Sequence, residues 1–222
     1  MSRVSRLAAA GLLVGMAAAM ASGSGTAMAA SQVAVANIQA DQPQAAVAAV
    51  DRLHAALLDV MRRGPQLGGA GRYRALAPVI DQVLDLPLMA QVAVGARWSQ
   101  LSAEQRAKLI DAFRRFTIAT YASNFDSYAG QRFEASPDPR PVAGGVIVAA
   151  RLIPHDRSPV KLDYVMRETN GVWQVIDVLA NGTISELARR RSEFTSILSR
   201  DGADALVDRL AEKAQTLIGQ PA

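Results

Sequence analysis

Apolar positions recur along this chain first at helical spacing, then at strand spacing, then at helical spacing again. From Gln44 to Arg63, Val47, Val50, Leu53, Leu57 and Val60 return every three or four residues, which places them on one face of an amphipathic helix. Gly64-Pro65 stops that helix, and Gly68-Gly69-Ala70-Gly71 reads as a loose, hinge-like loop suited to gating entry to an interior. A second helix is predicted from about Tyr73 to Val83. A short third begins at Leu86-Pro87, with Asp85 as its cap and proline in its first turn. Ser102 and Gln105 form a capping box. The helix they open reaches about Asn124, with Leu109, Phe113, Phe116, Thr117, Thr120 and Tyr121 on its apolar face.

Beyond Asn124 the period changes to two. Gln131 to Glu134 and Gly144 to Ile153 read as strands, and two more follow as a hairpin across Asn170-Gly171, the strongest short-range hairpin signal. On its first arm Val160, Leu162, Tyr164 and Met166 share one face, while Lys161, Asp163 and Arg167 share the other with Val165. The second arm, VWQVIDV, is apolar on both faces, with Trp173 and Val175 one way and Ile176 and Val178 the other. Such a strand is covered on both sides, or faces something apolar that is not protein. Thr183, three residues before Glu186, reads as a second capping box. Final helices are predicted over about 184–200 and 203–218, broken at Asp201-Gly202. Helices, then strands, then helices indicate an α+β fold, a twisted antiparallel sheet of about four strands packed against several helices. One domain over residues 45–218 accounts for it.

Residues 1–29 have the layout of a cleaved signal peptide and lie outside the fold reading. Arg3 and Arg6 make a positive start, Leu7 to Ala21 an apolar stretch, and Ala27-Met28-Ala29 a small-x-small cleavage site. The apolar stretch is shorter than the roughly 20 residues a spanning helix needs. Residues 30–44 are small and featureless, the pattern of a flexible start. The expected location is the periplasm. The chain has no cysteine, which excludes disulfides, thiol catalysis and zinc–thiolate sites. Its formal charge of +4 falls to about +2 once Arg3 and Arg6 leave, a mildly basic surface rather than a nucleic-acid binder.

Parts for catalysis are scarce. The two histidines, His54 and His155, sit in no metal or triad pattern. His54 lies at the edge of an apolar helical stripe and His155 in a turn. No G-x-S-x-G, phosphate-cradling glycine loop or H-E-x-x-H occurs. Asp163 and Asp177 on neighbouring strands form a conceivable carboxylate pair, though a structural role suits Asp177 better. No enzyme activity, metal or cofactor is expected. Arg189, Arg190 and Arg191 fan around a helix, so they cannot form one patch. They either pair with Glu186 and Glu193, or Arg190 or Arg191 meets a phosphate or an acidic partner.

The ordered set of short elements resembles the MlaC-type, or toluene-tolerance, family of periplasmic lipid carriers. Asp85 to Ala90 is similar to its D-F-x-x-M-A element, Gly95 to Trp98 to its G-x-x-W, and Ser102–Arg106 with Phe113 and Thr120-Tyr121-Ala122 to its S-x-x-Q-R…F…T-Y-A helix. LDYVM, WQVIDV, Gly182 and the Arg191…Phe194 spacing complete a resemblance that covers roughly residues 45 to 215. Ala180-Asn181-Gly182 and Arg190 depart from the usual pattern and look more like the branch associated with hopanoid biosynthesis, HpnM. The resemblance implies a phospholipid or hopanoid ligand in an apolar slot between sheet and helices. The implied strand wall is Val146, Val148, Ala150, Leu152, Val160, Leu162, Tyr164 and Met166; the helical wall is Met89, Phe113, Phe116, Thr117 and Tyr121. It places Arg190 and Arg191 at a headgroup or partner. It also implies a monomer that docks on membrane-bound transport components: an inner-membrane permease or MCE-type domain, and an outer-membrane lipoprotein. Covering matters energetically, since an exposed chain of 16 carbons costs roughly 13 kcal/mol at ~0.8 kcal/mol per methylene. The competing expectation is a non-enzymatic scaffold of a membrane lipid-transport or hopanoid-biosynthesis complex, with a filled core and no ligand.

Overall fold

The period-two region folds as one antiparallel sheet. In a computed structural model the backbone is described from residue 29 to 219 and the side chains from 43 to 219, so most of the expected signal peptide lies outside the described residues. Six strands occur among them: β1 (Arg132–Ala135), β2 (Arg140–Val142), β3 (Gly145–Ile153), β4 (Val160–Thr169), β5 (Val172–Ala180) and β6 (Ile184–Ser185). The order is β1-β3-β4-β5-β6, and β2 joins β1 along the same edge of β3. The two strands beyond the expected four are short edge pieces of three and two residues, too brief to show a period.

Cross-strand register accounts for the puzzling second arm of the hairpin. Tyr164 pairs with Val178 and Val165 with Asp177, but Met166 pairs with Val175, so Ile176 is an extra residue. A β-bulge of this kind switches which residues face a given side. Val178 and Ala180 therefore share the inner face with Tyr164 and Leu162, and Val175 shares it with Met166. The alternation that seemed to give two apolar faces is one apolar face with a step in it.

Helices cover that face: α1 (Ala29–Arg62), α2 (Gly64–Val83), α3 (Leu86–Val94), α4 (Ala103–Asn124), α5 (Glu186–Arg200) and α6 (Gly202–Ile218), with a 3-10 turn over Gly95–Gln100. α1 reaches back to Ala29, so residues expected as a flexible start are helical in backbone. Two predicted caps are present. Asp85 Oδ1 accepts from the Leu88 amide at 3.0 Å, and Ser102 and Gln105 exchange both capping-box bonds at 3.1 Å. The third is displaced. Asn181 and Gly182 take positive φ (53° and 76°) in a tight turn, Ile184-Ser185 pair as β6, and Ser185 rather than Thr183 caps α5 by accepting from the Ala188 amide at 2.9 Å.

The expected hinge at Gly68–Gly71 is instead a packed joint. Gly68 breaks the helical path at φ 60°, ψ 178°, but helix continues on both sides. Gly69 is buried, and a Cβ there would lie 2.0 Å from the Ile218 carbonyl oxygen of α6. Arg72, 1% exposed, sends Nε to the Ala122 carbonyl (2.8 Å) and Nη1 to the Gly64 carbonyl (3.1 Å), tying the last turn of α4 to the first residue of α2. The main core runs from the inner face through α1, α2 and α4 to α6, around Met166, Leu53, Ile80, Phe113 and Leu206.

Gly69→Ala tests the joint. Its backbone is open to alanine, so a mobile hinge would be neutral or stabilised. The packed joint should lose about 1–3 kcal/mol of unfolding free energy in urea titration.

Candidate functional site

An aromatic layer separates α4 from the sheet. α1 lies on the inner face above β1, β3 and β5, whereas the backbone of α4 approaches α6, α2 and α3 and reaches the sheet through its side chains. From α4, Tyr121 and Phe125 (i, i+4) stack with centroids 5.9 Å apart, and Phe125 meets Phe133 of β1 at 6.0 Å. From α1, His54 stacks on Phe133 at 4.3 Å and hydrogen-bonds through Nε2 to Tyr164 Oη at 3.0 Å. Tyr121, Phe125, Phe133, Leu162 and Val178 all stay half-buried while packing against the core.

Burial keeps the polar tips of this layer neutral. His54 is lowered to about 4 by desolvation. The Tyr121 phenol is raised to about 12, chiefly by desolvation, with Glu186 raising and Arg190 lowering it. Tyr164 lies well above the usual phenol value for the same reason, with a further push from Tyr121.

The predicted wall residues divide between two regions. Met89, Phe113, Val146, Val148 and Met166 belong to the closed core, where Phe113 meets Phe194 of α5 edge-on at 6.3 Å. Ala150, Leu152, Val160, Leu162 and Tyr164 line the other half of the inner face, where Val160 and Leu162 stay half-buried and the other three are buried. Thr117 is 5% exposed, and its hydroxyl has no hydrogen-bond partner. His54, Phe125, Phe133 and Val178 were not among the predicted wall. Phe125 and Phe133 carried a readable signal, the i+4 step from Tyr121 and the alternation of Gln131–Glu134. Val178 was hidden by the bulge.

The arginine run also divides. Arg189 pairs with Glu186 at 2.8 Å. Arg191 donates from Nε to the Val92 carbonyl at 3.0 Å, fastening α5 to the last turn of α3, and its chain lies against Gly95. Arg190 places its guanidinium 4.6 Å from the centre of the Phe116 ring. Asp163 and Asp177 do not form a catalytic pair. Asp177 accepts from Ser185 Oγ (2.5 Å), the Leu187 amide (3.3 Å) and its neighbour's amide (2.8 Å), while Asp163 faces Arg140 at 3.9 Å. Among the described residues no group of His, Asp or Glu is set to hold a metal ion.

Of two cavities, the first touches the layer through Phe125 and the second lies apart from it. One of about 340 Å³ opens beneath the β3–β4 loop, where Phe125, Leu152 and Val160 form its apolar wall and His155 its rim. The other, of about 530 Å³, is a groove between α4, α5 and α6 with Phe116 and Leu217 as apolar lining and Arg189, Arg190, Arg209 and Lys213 around it. Both volumes fall in the range of small-ligand sites, about 300–1,000 Å³.

Comparison with known proteins adds two findings. A family model described as "MlaC protein" matches residues 51–212. Among solved structures, a phospholipid-binding protein from Ralstonia solanacearum in complex with a phospholipid is 27% identical, with a TM-score of 0.63 over 78% of this chain and 97% of that one. No curated protein matches.

His54 makes a pH signature. The folded ring stays neutral down to about 4, whereas the unfolded chain takes up its proton near 6.5, so between these values the unfolded state binds more protons. Stability should therefore fall as pH drops from 6.5 towards 4, by up to about 3 kcal/mol from this group. Urea titrations of the parent and of His54→Gln across that window should show a steeper decline in the parent.

Proposed function

The chain belongs to the MlaC family, and on that premise we propose that it is a soluble periplasmic carrier that shields the hydrocarbon of a phospholipid on its way between membranes. The observation that carries this reading is the layer between α4 and the sheet. Its apolar walls, Leu162 and Val178 on one side and Tyr121 and Phe125 on the other, are bridged by side chains rather than by close backbone packing. Side chains can turn aside at little cost compared with the roughly 13 kcal/mol needed to expose one 16-carbon chain to water. The bound phospholipid of the Ralstonia solanacearum relative supports the same ligand class. No helix among the described residues is long and apolar enough to cross a membrane. Loading and unloading then fall to membrane-bound partners, an inner-membrane permease or MCE-type domain and an outer-membrane lipoprotein, with the carrier acting as a monomer.

A hopanoid is the second reading. The stacked rings of His54, Phe133, Phe125 and Tyr121 offer flat apolar surface suited to a polycyclic skeleton. The departures at Ala180 to Gly182 and at Arg190 point the same way.

Native mass spectrometry of the mature protein, followed by organic extraction, tests both readings. A co-purified phospholipid is the expected result, and a hopanoid would assign the chain to the specialised branch. Protein that stays empty after incubation with both lipid classes would sink the carrier and leave the scaffold. In the same assay Val178→Trp should lower lipid loading several-fold while costing no more than about 1–3 kcal/mol of stability, because the added ring fills the layer.

A further inference from the structure

The aromatic layer reaches an opening at one end of the sheet. There the inner face carries Phe133, Leu152 and Val160 in one cross-strand row over β1, β3 and β4, with Ala150 and Leu162 in the next row. Leu152 and Val160 are also the sheet wall of the cavity beneath the β3–β4 loop. Its other apolar sides are Met61, in the last turn of α1, and Phe125, which stacks on Tyr121. Cavity and layer therefore share one apolar lining.

Two loops form the banks of this cavity, and they are held differently. The α4–β1 loop, residues 125–131, is fixed from behind. A Cβ at Gly64 would lie 1.9 Å from the Asp126 carbonyl oxygen, so the two backbones are in direct contact, and the Arg62 guanidinium stands 5.1 Å from the centre of the Tyr128 ring. Arg72 holds the last turn of α4 just before it. The β3–β4 loop, residues 154–159, has proline at both ends and is exposed from His155 to Pro159. Asp156 pairs with its neighbour Arg157 at 3.7 Å, an ion pair inside the loop itself. The loop meets the opposite bank where His155 lies on the bare backbone of Gly130: a Cβ there would stand 3.7 Å from the His155 Cβ. Exposed segments with few buried contacts open at the lowest free energy, and a proline at each end restricts the backbone so that the segment swings as a strap.

We propose that the β3–β4 loop is the lid of this opening. It swings away from Gly130 to admit an acyl chain past Leu152, Val160 and Phe125 into the layer, and returns to cover it. This rests on the carrier reading and adds to it a point of entry and a moving part. Gating therefore belongs to this loop and not to Gly68–Gly71, where α2 is packed against α6. A lid that is closed in both the empty and the loaded protein sets the rates of uptake and release and leaves the affinity unchanged.

The chain has no cysteine, so one engineered disulfide tests the lid. The 3.7 Å separation suits the pair Gly130→Cys with His155→Cys, since disulfides span roughly 3.5–4.5 Å between Cβ atoms. Residue 130 takes φ 83°, which strains any side chain placed there, so the reduced form of the same double variant is the reference. On oxidation, transfer of pyrene-labelled phosphatidylglycerol from vesicles to the mature protein should slow by about tenfold or more, and release from preloaded protein should slow equally. Dithiothreitol should restore both rates, and the loading reached at equilibrium should not change. Pro154→Gly with Pro159→Gly loosens the strap and should instead speed transfer, and it decides the question if the cysteine pair does not fold. Equal rates in the oxidised and reduced forms overturn the lid but leave the carrier standing. So does a folded cysteine pair that will not oxidise, or a loosened loop that transfers at the parent rate. Lower loading at equilibrium with unchanged rates would make the loop part of the binding wall, against the proposal. Failure of the parent to take up any lipid overturns both.

Discussion

One extra residue in one strand governs how the two halves of this molecule meet. Ile176 is left unpaired in β5, and the resulting bulge turns Val178 and Ala180 onto the same face as Tyr164 and Leu162. The same step turns Asp177 away from that face, where it receives the Ser185 hydroxyl and the Leu187 amide. A carboxylate there satisfies donors at the start of α5 and suits the positive end of its dipole. With α5 anchored at that point its later residues follow at fixed intervals, Arg190 over Phe116 and Phe194 against Phe113. Without the bulge, either the apolar face or the cap would be lost.

Strong local signals made most of the architecture readable from the chain. The Asn170-Gly171 turn, the Ser102 capping box and the Asp85 cap each depend on a few adjacent residues, and each is present as expected. What escaped depends on tertiary context. Nothing near Ile176 announces a bulge. Gly69 has the composition of a hinge but the surroundings of a close helix crossing, which only the position of Ile218 reveals. Of the candidate wall, the apolar character was legible, while the division between closed core and half-buried layer was not, because it depends on where α4 stands relative to the sheet. Arg191 had the spacing of a functional residue and holds the end of α3.

Polar groups inside this apolar layer are kept, and kept uncharged where they can be. His54 and Tyr164 satisfy each other through one hydrogen bond, so two groups that would be costly alone are tolerated together. Arg190 cannot neutralise in this way, and the ring of Phe116 compensates it only in part. The polar groups thus range from a buried, mutually satisfied pair between α1 and β4 to a part-exposed cation on α5.

Arg72 has a consequence for how the chain acquires its structure. Its two acceptors lie 8 and 50 residues away, at Gly64 and Ala122. A chain that emerges from its N-terminus first must hold this guanidinium in water until the end of α4 arrives, since burying it unpaired would cost more than the packing of α2 returns. The first hundred residues are therefore poorly able to settle into native form by themselves. Helical and local as its elements are, this fold closes late and as a unit.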